Sequence, residues 1–167
     1  MSATNIASTN SATTTGHGPR LAYETFKETV PDIYSAMIAL SGKASGDLDK
    51  GLLELVKLRA SQINGCAFCL QMHLTMARAA KVPAAKLDLI AAWHDAGVYS
   101  TREMAALAWT ELLTRLAGNS IADSDYEAIR QHFTEKEVAQ LTTVIGVINV
   151  WNRISTSFAF APQIPAA

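Results

Sequence analysis

The 167-residue chain holds two cysteines, both in the short stretch Cys66-Ala67-Phe68-Cys69, with His73 four residues further on. A helix turns each residue by about 100° relative to the last. With Cys66 set at zero, Cys69 falls at about −60° and His73 at about −20°, so a helix here would put all three side chains on one narrow face. Cys69 and His73 are then neighbours across a single turn. The thiolate is the reactive form of cysteine, and unpaired N–H groups at a helix start favour it. Cys66 sits in that first turn, just after Asn64-Gly65. His73 is placed to take the proton of Cys69, provided its other ring nitrogen is held, a task a carboxylate does well. Glu54, on the preceding segment, is the candidate carboxylate. Spacing alone does not bring it to His73, and a solvated helix face is its ordinary alternative.

Other chemistries of a Cys-x-x-Cys followed by histidine set the alternatives. Two cysteines, His73 and Glu54 could in principle bind zinc, but structural zinc usually takes a cysteine pair from a knuckle and its other ligands from a second element. Here both cysteines and the histidine share one expected helix. No metal and no cofactor is therefore expected. Haem attachment needs a histidine directly after the second cysteine, where this chain has Leu70. A thioredoxin-like motif needs a strand before its helix. Two buried cysteines that merely pack remain possible, but packing gives no reason for the aligned His73.

The elements that must position these residues read as helices. Pro31 suits a first turn, opening a helix that ends near Ser41-Gly42. A second runs from about Asp47 to Ile63, with Leu52, Leu55, Val56 and Leu58 at three- and four-residue spacing, and Asn64-Gly65 stops it. A third runs from Cys66 to about Ala80. Pro83 opens a fourth that carries Leu87, Ile90, Ala91 and His94 and stops before Gly97. Ser100 with Glu103, Ser124 with Glu127, and Thr134 with Glu137 form capping-box patterns for three more helices, ending near Gly118, Phe133 and Phe158. No alternating strand pattern occurs. The expected fold is all-α, with about six to seven helices. The last helix carries two apolar stripes, Val138-Leu141-Ile145-Ile148 and Val144-Val147-Trp151-Ile154-Phe158. One stripe suffices for a surface helix, so this one is either central or shared between subunits.

Composition narrows the setting. Apolar residues make up 49% and charged residues 17%, against a usual charged share of about a quarter. That excludes global disorder and points to surface hidden in an oligomer. With 14 Lys+Arg against 15 Asp+Glu, no basic excess suggests nucleic acid or anionic lipid, and no apolar run is long enough to span a membrane. Residues 1–18, rich in Ser, Thr, Asn and Ala and without charge, read as a disordered leader rather than a targeting signal. Residues 19–167 form the folded part, and the cytoplasm is the default location. Asn152-Arg153, polar in an otherwise apolar helix, suggests hydrogen bonding between subunits. Arg59 is read as making a surface pairing, with steadying Glu54 or a neighbouring subunit's acid as the alternatives.

The segment from Glu54 through Asn64-Gly65-Cys66-Ala67-Phe68-Cys69-Leu70-Gln71-Met72-His73 resembles the AhpD-like alkylhydroperoxidases of the carboxymuconolactone decarboxylase superfamily. The likeness is specific over residues 50–80 and looser through Ala105–Trp109 and Ile148–Arg153. It implies an AhpD-like helical fold and trimers, or hexamers built from trimers. It also implies that Cys69 attacks a peroxide, that Cys66 resolves the sulfenic acid to a disulfide, and that His73 with Glu54 relays protons. The expected substrate is hydrogen peroxide or an organic hydroperoxide. The expected partner is a dithiol reductant, thioredoxin-like or lipoyl-carrying. The decarboxylase branch lacks the cysteine pair. In the best-studied peroxidase pattern a histidine precedes the second cysteine, where this chain has Phe68. A redox-sensing helical oligomer without turnover and a decarboxylase-like enzyme are the other readings.

Overall fold

Val30 precedes Pro31, and the proline ring bars it from helical backbone. Its φ of −133° and ψ of 60° end a first helix, α1 (Tyr23–Thr29), and Pro31 then opens α2 (Pro31–Ser45) from its first turn. The computed structural model describes residues 18–164, so the expected leader, residues 1–18, lies outside them except for Gly18. The described residues form eight α-helices, a short 3-10 turn and no strand. After α2 come α3 (Lys50–Ile63), α4 (Ala67–Ala79), α5 (Ala84–Asp88), the 3-10 turn (Ile90–Ala92), α6 (Thr101–Thr114), α7 (Asp123–Arg130) and α8 (Glu135–Phe158).

The expected all-α fold is present, with several boundaries moved. α1 was not anticipated. α2 runs through Gly42 and stops at Gly46, whose φ of +49° suits only glycine well. α3 starts later than Asp47: the Asp49 carboxylate caps it by accepting from the Leu52 N–H at 2.9 Å. The expected fourth helix breaks at Leu89 into α5 and the 3-10 turn. α7 begins at Asp123, not after Ser124, because the Asp125 carboxylate accepts from the Ala122 N–H at 3.0 Å and fixes the start two residues earlier. The capping boxes at Ser100–Glu103 and Thr134–Glu137 are both formed.

Three apolar clusters hold the helices together, and α3 enters all of them. Leu52, Leu53 and Val56 pack with Ala106 and Trp109 of α6 and Leu141, Val144 and Ile145 of α8. Leu55 and Leu58 meet Ala77, Leu87, Ile90, Trp93 and Leu107. Ala60 joins Phe26, Phe68, Ile148, Phe160 and both cysteines. Each fully buried Leu or Ile contributes roughly 1.5–3 kcal/mol, so burial on several faces fixes α3 firmly. The two stripes of α8 are used inside this chain: the helix packs against α2, α3, α4, α6 and α7. It is therefore central, and its second stripe carries no argument for an oligomer.

Candidate active site

The junction between α3 and α4 is only a few residues long, and backbone hydrogen bonds define it. Gly65, at φ +65°, turns the chain out of α3. Its N–H donates to the Gln62 carbonyl at 3.2 Å, and the Cys66 N–H donates to the Ser61 carbonyl at 3.0 Å. This paired closure is the Schellman arrangement, which glycine favours because it has no Cβ. Cys66 then caps α4 rather than lying within it. Its backbone is extended, and its sulfur accepts from the Cys69 N–H at 3.2 Å. The helix starts one residue later than expected, because that sulfur satisfies one of the free N–H groups of the first turn.

Cys66 and Cys69 are joined as a disulfide, with Cα atoms 5.4 Å apart, inside the range such a bond requires. Both residues are almost completely buried, Cys66 1% and Cys69 0% exposed. One turn further along α4, His73 is buried too. Its Nδ1 lies 2.7 Å from Oε2 of the buried Glu54. A carboxylate can only accept, so Nδ1 carries the proton of this bond. The other Glu54 oxygen accepts from Lys57 Nζ at 2.8 Å. Burial alone would push the Glu54 carboxyl up. The hydrogen bond from His73, together with the neighbouring Lys57 ammonium, outweighs it and holds the group below the ordinary carboxylate range. Glu54 thus meets His73, although spacing did not settle their contact.

A cavity of about 190 Å³ reaches Cys69 and His73. Its walls are mainly apolar: Tyr23, Ile38, Phe68, Met72, Met76 and Trp151. Lys57 and Ser155 supply polar groups at its edge. Phe68 packs on Phe160 and Tyr23, with ring centroids 5.4 and 5.0 Å away, so this position closes the aromatic wall and gives no polar group. Lys57, Tyr23 and Ser155 were not singled out from the sequence. Lys57 was within reach of such reasoning, because it lies one turn from Glu54 on the same helix. Tyr23 and Ser155 arrive from distant elements, and no local spacing points to them.

Other expectations are corrected. Arg59 pairs not with Glu54 but with Glu111 of α6, Nε to Oε1 at 2.7 Å, and Trp93 Nε1 donates to the same oxygen at 2.8 Å. Asn152 faces inward: it accepts from Asn64 at 2.9 Å and donates to Ser61 at 3.0 Å. Arg153 bonds the Asn149 carbonyl at 2.8 Å. Asn152 thus braces the α3–α4 junction from α8 within one chain, where hydrogen bonding between subunits was expected of it, and the Arg153 bond stays inside α8. Among the described residues no group of three or more His, Cys, Asp or Glu is arranged to hold a metal, and no helix is long and apolar enough to cross a membrane.

An all-helical chain with a buried cysteine pair one turn from a Glu–His pair has the AhpD-like helical fold. The chain belongs to the carboxymuconolactone decarboxylase family, whose model matches residues 31–112, the span that contains all four of these residues. It is 39% identical over 102 residues to the uncharacterized protein YdfG of Bacillus subtilis, covering 61% of this chain and 69% of that protein. A protein of unknown function from Agrobacterium tumefaciens, whose proposed role is AhpD antioxidant defence, superposes with a TM-score of 0.83 at 33% identity, over 89% of this chain and 100% of that one. An uncharacterized peroxidase-related protein from Ralstonia eutropha, described as an alkylhydroperoxidase AhpD core, superposes with a TM-score of 0.74 at 21% identity, over 89% and 79% of the two chains. That second likeness is one of fold.

Proposed function

We propose that the protein is a thiol-dependent peroxidase that reduces hydrogen peroxide or an organic hydroperoxide and is returned to its dithiol form by an external dithiol. One observation carries the reading: a disulfide between Cys66 and Cys69, with Cys69 one turn from a histidine whose Nδ1 is fixed by Glu54. In the reduced protein His73 Nε2 takes the proton of the Cys69 thiol. The thiolate attacks the peroxide, the O–O bond breaks, Cys69 becomes a sulfenic acid, and the leaving oxygen departs as water or an alcohol with the proton returned by His73. The Cys66 thiol then displaces water from the sulfenic acid and forms the disulfide. A dithiol gives two electrons and two protons to that bond and is itself oxidised to a disulfide. The apolar wall beside Cys69 favours an organic hydroperoxide over a bare peroxide. A thioredoxin-like or lipoyl-carrying protein supplies the dithiol, which places the activity in a reducing compartment, the cytoplasm. Residues 19–167 act as the folded unit behind the leader, in a homotrimer or hexamer.

The test is peroxide consumption with added dithiol, together with mass spectrometry of the thiols. The wild type turns over many equivalents. Cys69→Ser abolishes consumption, and Cys66→Ser leaves a sulfenic acid that a dimedone-type reagent traps. Swapped outcomes would exchange the two roles, and no turnover with any dithiol would remove the reading. The depth at which both sulfurs lie favours a second reading, a sensor oxidised once. Such a protein consumes a single equivalent and changes its size on a gel-filtration column.

A further inference from the structure

Ser155 lies on α8, outside the span matched by the family model, and is 2% exposed. Hydroxyls inside helices commonly donate back to the carbonyl four residues earlier. Ser41, Thr110, Thr143 and the adjacent Thr156 all do so here. Ser155 does not. Among the described residues its hydroxyl has one hydrogen-bond partner, Cys69 Sγ at 3.5 Å. A disulfide sulfur has no proton, so the serine is the donor. Its carbonyl is occupied as well, accepting from the Phe160 N–H at 3.0 Å where α8 ends, which fixes the residue at both of its polar groups. Ser155 also stands where two cavities meet: the one that reaches Cys69 and His73, and another of about 680 Å³ that reaches Cys66.

We propose that Ser155 is a catalytic residue of this redox site, its hydroxyl donating the hydrogen bond that stabilises the Cys69 thiolate. The inference deepens the peroxidase reading and rests on it for the role of Cys69. A disulfide sulfur is a poor acceptor and a thiolate a good one, so the bond strengthens when the protein is reduced. No proton leaves the serine. The proton of Cys69 still passes to His73, and the hydroxyl lowers the cost of the charge left on sulfur. The other groups around Cys69 are His73 on its own helix, Glu54 of α3 bonded to that histidine, Lys57 of α3 and Tyr23 of α1 in the wall of the same cavity, and Cys66 at the helix start. The α2 residues of this cavity, Ile38 and Ser41, are uncharged. On α8 the neighbours in the same wall are Val144, Val147, Ile148 and Trp151, so Ser155 is the polar donor that this helix offers.

The test reads the thiol directly and uses no peroxide. In a Cys66→Ser background Cys69 is the one thiol, and its rate of alkylation by iodoacetamide against pH reports its ionisation. Adding Ser155→Ala is expected to move the midpoint up by roughly one pH unit, the size of a single charge-assisted hydrogen bond. Ser155→Thr, which keeps the hydroxyl, restores it. In the two-cysteine protein, equilibration with glutathione should show Ser155→Ala disfavouring reduction up to about tenfold, equal to about 30 mV. Alanine is a better helix former than serine, and thermal unfolding checks that the variant is folded. An unmoved midpoint and an unmoved glutathione equilibrium in Ser155→Ala, or a threonine variant that behaves like alanine, would overturn the proposal. Because neither assay contains peroxide, failure here is distinct from failure of the peroxidase reading.

Discussion

In the proposed relay the two ring nitrogens of His73 have different tasks. The Glu54 carboxylate holds Nδ1–H, which leaves Nε2 as the proposed base. Glutamine at this position has one oxygen for His73 but turns an N–H₂ donor toward Lys57, whose ammonium then lacks its partner. We therefore expect Glu54→Gln to slow oxidation of Cys69 by about 10- to 100-fold, less than the roughly 100- to 10,000-fold of a lost general base, because His73 itself remains. Stopped-flow mixing of reduced protein with a hydroperoxide measures this, and an unchanged rate would take Glu54 out of the relay. At this scale much of the site was legible. Cys66, Cys69 and His73 lie on one short stretch, where helical geometry converts spacing into nearness along one side of α4. Glu54 was legible as a candidate and needed the fold to bring it to His73. Ser155 was not legible, because 86 positions separate it from Cys69 and only the placement of α8 joins them.

At the scale of elements, the site depends on two connections to α3. One is the α3–α4 junction, where Asn152 of α8 holds Asn64 and Ser61. The other is the Arg59–Glu111–Trp93 cluster, which ties α3 to α6 and to the segment after the 3-10 turn. Burial would raise the Glu111 carboxyl, but Trp93, Arg115 and Arg59 lower it to about 2. A group depressed on folding stabilises the native state above its unfolded pKa of roughly 4.3, and that contribution fades as pH falls toward 2. Urea unfolding at pH 5 and pH 3 should therefore show the wild type losing on the order of 1 kcal/mol more than Glu111→Gln, after allowance for solvent screening. Equal losses would place the acid sensitivity elsewhere. Helix starts were readable where a hydroxyl and a carboxylate agreed, as at Ser100 and Thr134. The start of α7 was misplaced because Ser124–Glu127 imitates a box while Asp125 captures the Ala122 N–H. The one-turn break after Asp88 has no strong local signal.

For the molecule as a whole, α2 is the element that packs on one side and leaves large apolar residues bare on the other. Tyr34, Met37, Ser41 and Ala44 turn toward the rest of the chain, while Ile33, Ile38 and Leu40 stand about half exposed. Ile38 lies about 140° round the helix from Ile33, and with Met72 and Met76 of α4 it lines the cavity at Cys69. Exposed apolar surface marks a contact face. Because α8 is satisfied within the chain, the side of α2 that carries Ile33 and Leu40 is the surface an assembly would use. A trimer or hexamer seated there would bury both residues. Ile33 and Leu40 are seven residues apart and share a helix face, so Ile33→Glu with Leu40→Glu puts two like charges on each copy at the contact while leaving the disulfide wall untouched. Light scattering should find the wild type as a multimer and the double variant at the mass of one chain, with its helical circular dichroism retained. A wild type already at that mass, or a double variant still assembled, would place the interface elsewhere.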